Sequence, residues 1–468
     1  MLVHVCRRWR SLVFRSPRRL NLRLYCTPKT PAKHTLDVWP ALPLIVGPGG
    51  ETYMDLSSDT TDNVIAAHGQ SNRVCKVSLT DFTDRHFENV FAAMQVPFPE
   101  LTDLQLGFSW HLLDNGILSA IPIPDSFLGG SARPRLQNFS LSGIPFPGLP
   151  KVLLSATHLV TLRLSTIPHS GYISPEATVA LLSALSSLDT LSLRFQSPQS
   201  RPDLQSQSPA LPKRSILPAP STLDFKGVTE YLEELVTRID APQLGHMDIT
   251  FFNQIDFDCP RLAQFIKCTP TLMALDEAHV LFNLSTASVD LRKRKSDPEI
   301  GFHNLQISTS CRSLDWQLSS IEQFCNSSLH PISTVEDLYI TRPFGGRVWY
   351  DDSPMKTLWL DLLFPFTAVK NLYLLKDFAP DVVAALEELV GGRITEVLPS
   401  LESILWRGST HRSLSRKALG SSLPRDSSPI TLSPFLTGIG TKATQNRRDA
   451  DRKLRPMLSG FHIHLISL

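Results

Sequence analysis

The sequence predicts an α/β solenoid, a ladder of short parallel strands backed by helices. Two observations carry this. One apolar spacing recurs through most of the chain, and helix signals fall between its copies. A third observation, the distribution of charge, limits what such a body binds.

The recurring spacing is apolar, two variable residues, apolar, one variable, apolar. It appears at Val74-Val77-Leu79, Leu101-Leu104-Leu106, Leu136-Phe139-Leu141, Leu159-Leu162-Leu164 and Leu188-Leu191-Leu193. It continues at Leu244-Met247-Ile249, Val335-Leu338-Ile340, Val369-Leu372-Leu374 and Leu401-Ile404-Trp406, with a partial copy at Leu272-Leu275. Successive starts lie 27, 35, 23, 29, 56, 28, 63, 34 and 32 residues apart, and the two long gaps have room for two repeats each. The last two apolar residues of each copy are two apart, so they share one face of a strand. A single strand cannot bury that face alone, so neighbours must stack.

Helix signals fill the intervals. Ser174-Pro175-Glu176 supplies an N-cap, a proline at the first helical position and an acid in the first turn. Thr229 opens a second helix, with Leu232, Leu235, Val236 and Ile239 at helical spacing. Pro260 opens a third, carrying Leu262, Phe265 and Ile266. Asp381 starts a fourth, which Gly391-Gly392 stops. Strand and helix alternating along a parallel ladder define an irregular leucine-rich-repeat solenoid. Two segments interrupt it. Residues 196–222 carry six prolines and read as an inserted surface loop. Residues 284–300 contain Arg292-Lys293-Arg294-Lys295 and read as a solvated loop, with a nuclear-localisation patch as the alternative.

The net charge of +2 conceals an asymmetry. Residues 1–36 hold nine basic and no acidic residues, and residues 407–468 hold eleven basic and three acidic ones. The 26 basic and 41 acidic residues between them make the body acidic. A nucleic-acid-binding domain would carry its basic charge on the folded face, so that class is not expected. No apolar run reaches the roughly 18 residues of a membrane helix. The seven cysteines form no CxxC, so neither a zinc site nor a disulfide framework is expected, and a reduced cytoplasmic or nuclear environment is. Phosphate-loop, GxSxG and HExxH motifs are absent, so a non-enzyme without metal or cofactor is expected. Binding then falls to the strand residues between the last two apolar positions. These are Gln105, Ser140, Arg163, Ser192, Asp248, Tyr339 and Tyr373. Among them Gln105, Arg163, Asp248, Tyr339 and Tyr373 are the candidate substrate face; Tyr and Arg are enriched at binding hot spots.

At the N-terminus Leu2, Val5, Cys6, Trp9 and Leu12-Val13 share one helical face. Ser16-Pro17 ends that helix, and Leu20, Leu22 and Leu24 alternate as a strand. The run Val5-Cys6-Arg7-Arg8-Trp9-Arg10-Ser11-Leu12-Val13, then Ser16-Pro17 and the leucine strand, resembles the second half of an F-box. From there through Thr35-Leu36-Asp37-Val38-Trp39-Pro40 to about Leu405, the chain resembles F-box-like leucine-rich proteins of mushroom-forming fungi. The resemblance implies an adaptor whose F-box docks on the Skp-type protein of a cullin–RING ubiquitin ligase while its repeats present a protein substrate. It implies that Val5, Trp9, Leu12 and Val13 face that adaptor or hold the F-box helices together. The Leu-Pro motif and first helix that open an F-box are not in this sequence, so the expectation is an upstream start or a shortened motif. Two other functions compete, a leucine-rich scaffold without a ligase and an enzyme on an α/β fold, and the arginine-rich N-terminus has a second reading as a mitochondrial transit segment. The expected organisation is a partial F-box over 1–19, repeats over 20–406, and a disordered tail or shifted reading frame over 407–468.

Overall fold

The computed structural model describes residues 24–26, 32, 36, 42–47, 58–82, 84–108, 122–130, 135–145, 151–200, 214–217, 219–252, 259–273, 275–294, 304–311, 313–326, 330–342, 356–375, 378–387, 394–407 and 412–415. Among the described residues sixteen strands form one sheet. In chain order it begins with β1 (Leu24–Cys26), β2 (Leu44–Val46), β3 (Val74–Phe82), β4 (Asp103–Phe108), β5 (Asn138–Ser142), β6 (Thr161–Ile167) and β7 (Thr190–Phe195). Each is parallel to the next. The ladder continues through β9 (Thr222–Gly227) and β11 (His246–Phe252). The short β8 (Ser215–Ile216) and β10 (Ile239–Asp240) leave it and pair with each other.

The order then departs from the chain. β12 (Glu277–Phe282), β13 (Thr286–Arg292) and β14 (Asn304–Ser310) form an antiparallel meander that enters the ladder reversed. β14 pairs with β11, and β12 pairs with β15 (Asp337–Thr341), both in parallel. β16 (Asn371–Leu375) and β17 (Ser403–Arg407) follow, and β18 (Arg412–Ser415) returns antiparallel to β17. The 63-residue gap therefore holds the meander, in which β13 alone runs against the ladder, whereas the 56-residue gap adds one ordinary ladder strand, β9.

Register holds through the reversal. Leu104, Phe139, Leu162, Leu191, Leu223, Met247, Leu305, Leu291, Ala278, Leu338, Leu372 and Ile404 oppose one another strand by strand. None is more than 4% exposed. A slip of one residue would turn a strand's apolar set to the other face, so burial pins every pairing. The turn before each strand is locked to the preceding repeat. Thr161 N–H donates to Gln137 O, Thr190 N–H to Val160 O, Asn371 N–H to Glu336 O and Ser403 N–H to Lys370 O.

The helices follow their strands: α1 (Ser58–His68), α2 (Asp84–Ala93), α3 (Lys151–Ser155), α4 (Pro175–Ala184), α5 (Thr229–Arg238) and α6 (Pro260–Lys267), then α7 (Leu314–Asn326), α8 (Lys356–Leu363), α9 (Ala379–Glu387) and α10 (Ile394–Val397). Ser174 caps α4 as its sequence predicts, its Oγ accepting from Ala177 N–H at 3.2 Å. α6 is capped by its neighbour instead. The carboxylate of Glu233 on α5 accepts from Arg261 N–H (3.0 Å) and Leu262 N–H (2.6 Å), which ties adjacent helices together. Beneath α4 and α5, Tyr172, Phe195, Phe225 and Tyr231 pack ring on ring. Gly227 fits only as glycine, because a Cβ there would lie 2.5 Å from the Phe225 ring.

Four expectations change. Thr222, placed in the inserted loop, belongs to β9, and the loop's end is anchored by the β8–β10 pair, with Leu217 buried. Residues 286–292, read as loop, form β13, because Ala287, Val289 and Leu291 complete the apolar row. Strand pairing reaches Arg412–Ser415, beyond the Trp406 limit set by the leucine pattern. The fourth helix begins at Ala379, two residues before Asp381. Leu162 is 1% exposed between Phe139 and Leu191. Leu162→Ala should therefore cost about 2–5 kcal/mol in urea unfolding, while Gln105→Ala on the opposite face stays within about 0.5 kcal/mol. Similar small losses for both would contradict this packing.

His68 ends α1 fully buried, edge-on to Phe98 (5.7 Å between ring centres). Neither ring nitrogen has a hydrogen-bond partner among the described residues. Burial lowers its pKa from 6.5 to about 4. The unfolded chain therefore binds the proton first, and the stabilisation is full above pH 6.5 and lost as pH falls toward 4. Between pH 7.5 and pH 5 this loss amounts to about 2 kcal/mol. Urea unfolding of His68→Leu at both pH values should show a correspondingly smaller acid loss than the wild type; equal losses would mean that His68 is not buried neutral.

Candidate functional site

Strand residues alternate between faces. Those facing away from the apolar row form a second set of rows, polar and partly open. The middle one runs Ser78, Gln105, Ser140, Arg163, Ser192, Asp224, Asp248, Gln306, Asp290, His279, Tyr339, Tyr373 and Leu405, each opposed to the next. All five candidate face residues lie in this row. Gln105 and Arg163 are exposed, and Asp248, Tyr339 and Tyr373 are half-buried. Ser192, also expected to be open, is buried, and its Oγ donates to Asp224 at 2.7 Å. Val5, Trp9, Leu12 and Val13 lie outside the described residues.

The row has three chemical sections. At its C-terminal end the rings of His279, Tyr339 and Tyr373 stack face to face, 4.5 and 4.1 Å apart and 6° from parallel. Direct opposition of the three aromatic side chains on adjacent parallel strands brings their rings together. His279 Nε2 meets the Glu277 carboxylate at 2.5 Å. Burial and the neighbouring Tyr373 push the Tyr339 phenol up to about 12, so it remains a neutral donor and acceptor.

The middle section is rich in carboxylates. Asp290 is 1% exposed and bonded by Arg292, whose Nε donates at 2.8 Å. Its Oδ1 has no hydrogen-bond partner among the described residues. Arg194 approaches Asp224 at 3.4 Å, and Arg294 pairs with Asp337. Asp248 Oδ1 has no hydrogen-bond partner among the described residues, and burial with the nearby Asp224 charge raises its pKa. Lys226 sits 5.3 Å over the Phe252 ring.

The N-terminal section, over β3–β6, is a shallow depression of about 330 Å³ lined by polar side chains that include Lys76, Gln105, Asn138 and Arg163. Asp103 beside it is satisfied, its carboxylate accepting from Thr102 Oγ1 (2.7 Å) and Asn138 Nδ2 (2.8 Å). The same cross-strand amide-to-acid pairing recurs where Asn371 Nδ2 donates to Asp337 at 2.7 Å and Ser403 Oγ to Asn371 at 2.6 Å.

No protein-family model matches the chain, and no curated protein matches it. Among solved structures it is similar to the leucine-rich repeat-containing protein LegL7 from Legionella pneumophila. Identity is 12%, over 84% of this chain and 92% of that one, with a TM-score of 0.28. The fold described above rests on strand order and register, not on this likeness. Among the described residues no group of three or more His, Cys, Asp or Glu side chains is placed to hold a metal ion, and no helix is long and apolar enough to cross a membrane.

Asp224, Asp290 and His279 escaped the leucine pattern because their strands carry weak copies or run backwards, and Gln306 was passed over although Phe302-Leu305-Ile307 has the spacing. Pro220-Leu223-Phe225 begins with proline, Leu275-Ala278-Val280 has alanine at its centre, and β13 runs the other way. The buried Asp290 depends on Arg292. Arg292→Ala should cost about 1–3 kcal/mol by leaving the carboxylate without its donors. Adding Asp290→Asn should recover part of that loss in urea unfolding, and additive losses would contradict the pairing.

Proposed function

We propose that the chain is a protein-interaction scaffold whose polar sheet face holds a partner polypeptide. The observation that carries this reading is the continuous polar row from Ser78 to Leu405, open except at the buried Ser192 and Asp290, which with its flanking residues mixes stacked aromatics, arginines and carboxylates. Such a surface offers anchors for a partner along its whole length, as stacked repeats do.

The finer role we propose is that of a substrate receptor for a cullin–RING ubiquitin ligase. The Val5-Cys6-Arg7-Arg8-Trp9-Arg10 resemblance to an F-box, joined to leucine-rich repeats, supports it. Val5, Trp9, Leu12 and Val13 would then meet a Skp-type adaptor or hold the helices that do, and Gln105, Arg163, Asp248, Tyr339 and Tyr373 would meet the protein substrate. A second reading, a scaffold without ligase association, needs only the sheet face.

Quantitative affinity capture separates the two. Tyr339→Ala with Tyr373→Ala should weaken a captured partner by about 2 kcal/mol, roughly thirtyfold, while far-ultraviolet dichroism stays that of the folded chain. Unchanged capture would sink the assignment of the face. In a parallel pull-down, the ligase role predicts that the purified Skp-type adaptor is retained and that Trp9→Ala releases it. No retention, even by a chain extended with upstream in-frame codons, would leave the scaffold alone.

A further inference from the structure

The cations of the open face are unevenly matched. Arg194, Arg292 and Arg294 each have a carboxylate, and Lys226 has the Phe252 ring. Lys76 and Arg163 have no ion pair or hydrogen bond to any described residue, although both line the depression over β3–β6. The carboxylate beside them, Asp103, already accepts from Thr102 and Asn138. This end of the face therefore holds two uncommitted cations above a floor of amides, hydroxyls and the already engaged Asp103 carboxylate. Gln105 Oε1 accepts from Ser78 Oγ at 3.1 Å, which turns the amide's NH₂ to other acceptors.

Register sets the spacing of the two charges. Lys76 opposes Asp103, Asn138 and Thr161 in turn, while Arg163 lies two residues further along β6. Three strand intervals and two residues of rise separate them by roughly 16 Å. That is too far to grip one phosphate, whose recognition needs converging donors. It matches instead about five residues of an extended peptide.

We propose that the β3–β6 depression docks an extended acidic segment of the partner polypeptide, with one carboxylate on Lys76 and another, about five residues on, on Arg163. Gln105, Asn138, Ser140 and Thr161 then meet the peptide backbone between them. This rests on the scaffold reading and adds the chemistry of the partner at this end of the face. The carboxylate-rich middle section begins with Asp224 and Asp248, two and three strand intervals from Arg163, about 10 and 14 Å at about 4.8 Å per interval. It would repel the same segment beyond Arg163, so the acidic peptide is confined to β3–β6.

The test is fluorescence anisotropy of the full chain with a labelled peptide carrying two glutamates about five residues apart, at low salt. Controls are the same peptide with glutamines and one with a single phosphoserine. The glutamate peptide should bind at least roughly tenfold tighter than the glutamine peptide, and its affinity should fall as salt is raised. Lys76→Glu with Arg163→Glu should abolish binding, while Tyr339→Ala with Tyr373→Ala should leave it intact. Equal binding of the glutamine peptide, tighter binding of the phosphoserine peptide, or indifference to the charge reversal would overturn the proposal. If the acidic peptide fails while partner capture still depends on Tyr339 and Tyr373, the docking proposal falls and the scaffold reading stands. Loss of both dependences removes both.

Discussion

Every feature of this molecule depends on one constraint: each strand must keep its apolar pair against the core while it pairs with a neighbour on either side. Burial of Leu104, Phe139, Leu162 and their successors fixes which residues oppose which. The same alternation then fixes the other face without further instruction, because side chains two apart must share a side. The polar row is thus a by-product of the apolar one.

The meander of β12, β13 and β14 shows how strong that constraint is. The chain reverses direction twice inside a parallel ladder, yet Val289 still opposes both Val280 and Ile307 within the core. Asp290 consequently faces out beside Gln306 and His279. The insertion also brings Arg292 and Arg294 to carboxylates on the open face, so a segment with the look of a solvated basic loop is tied into the sheet. Charge on this face is locally compensated in the middle and left uncommitted at the β3–β6 end.

Much of this architecture was legible in the sequence. The leucine spacing located β3 to β7, β11 and β15 to β17, and it placed Gln105, Arg163, Asp248, Tyr339 and Tyr373 on one face. What it missed has physical reasons. Pro220 can stand where leucine usually does because that position lies in the turn, before the hydrogen-bonded strand begins. Phe302-Leu305-Ile307 has the right spacing, but it follows a charged stretch and a strand that runs backwards. Spacing alone also cannot tell that Ser192 is covered, because its cover, Asp224, arrives from the next strand. Cross-strand neighbours decide exposure, and they are visible only once register is known.

The open polar row as the surface that holds a partner is best tested by covalent footprinting of the chain, free and with its captured partner bound. Tyr339, Tyr373 and Arg163 should lose reactivity in the complex. Trp316 and Phe364, on or just after the helices α7 and α8 and more than half exposed, should keep theirs. Protection of Trp316 and Phe364 with the tyrosines left reactive would move the binding surface to the helical side and contradict the account.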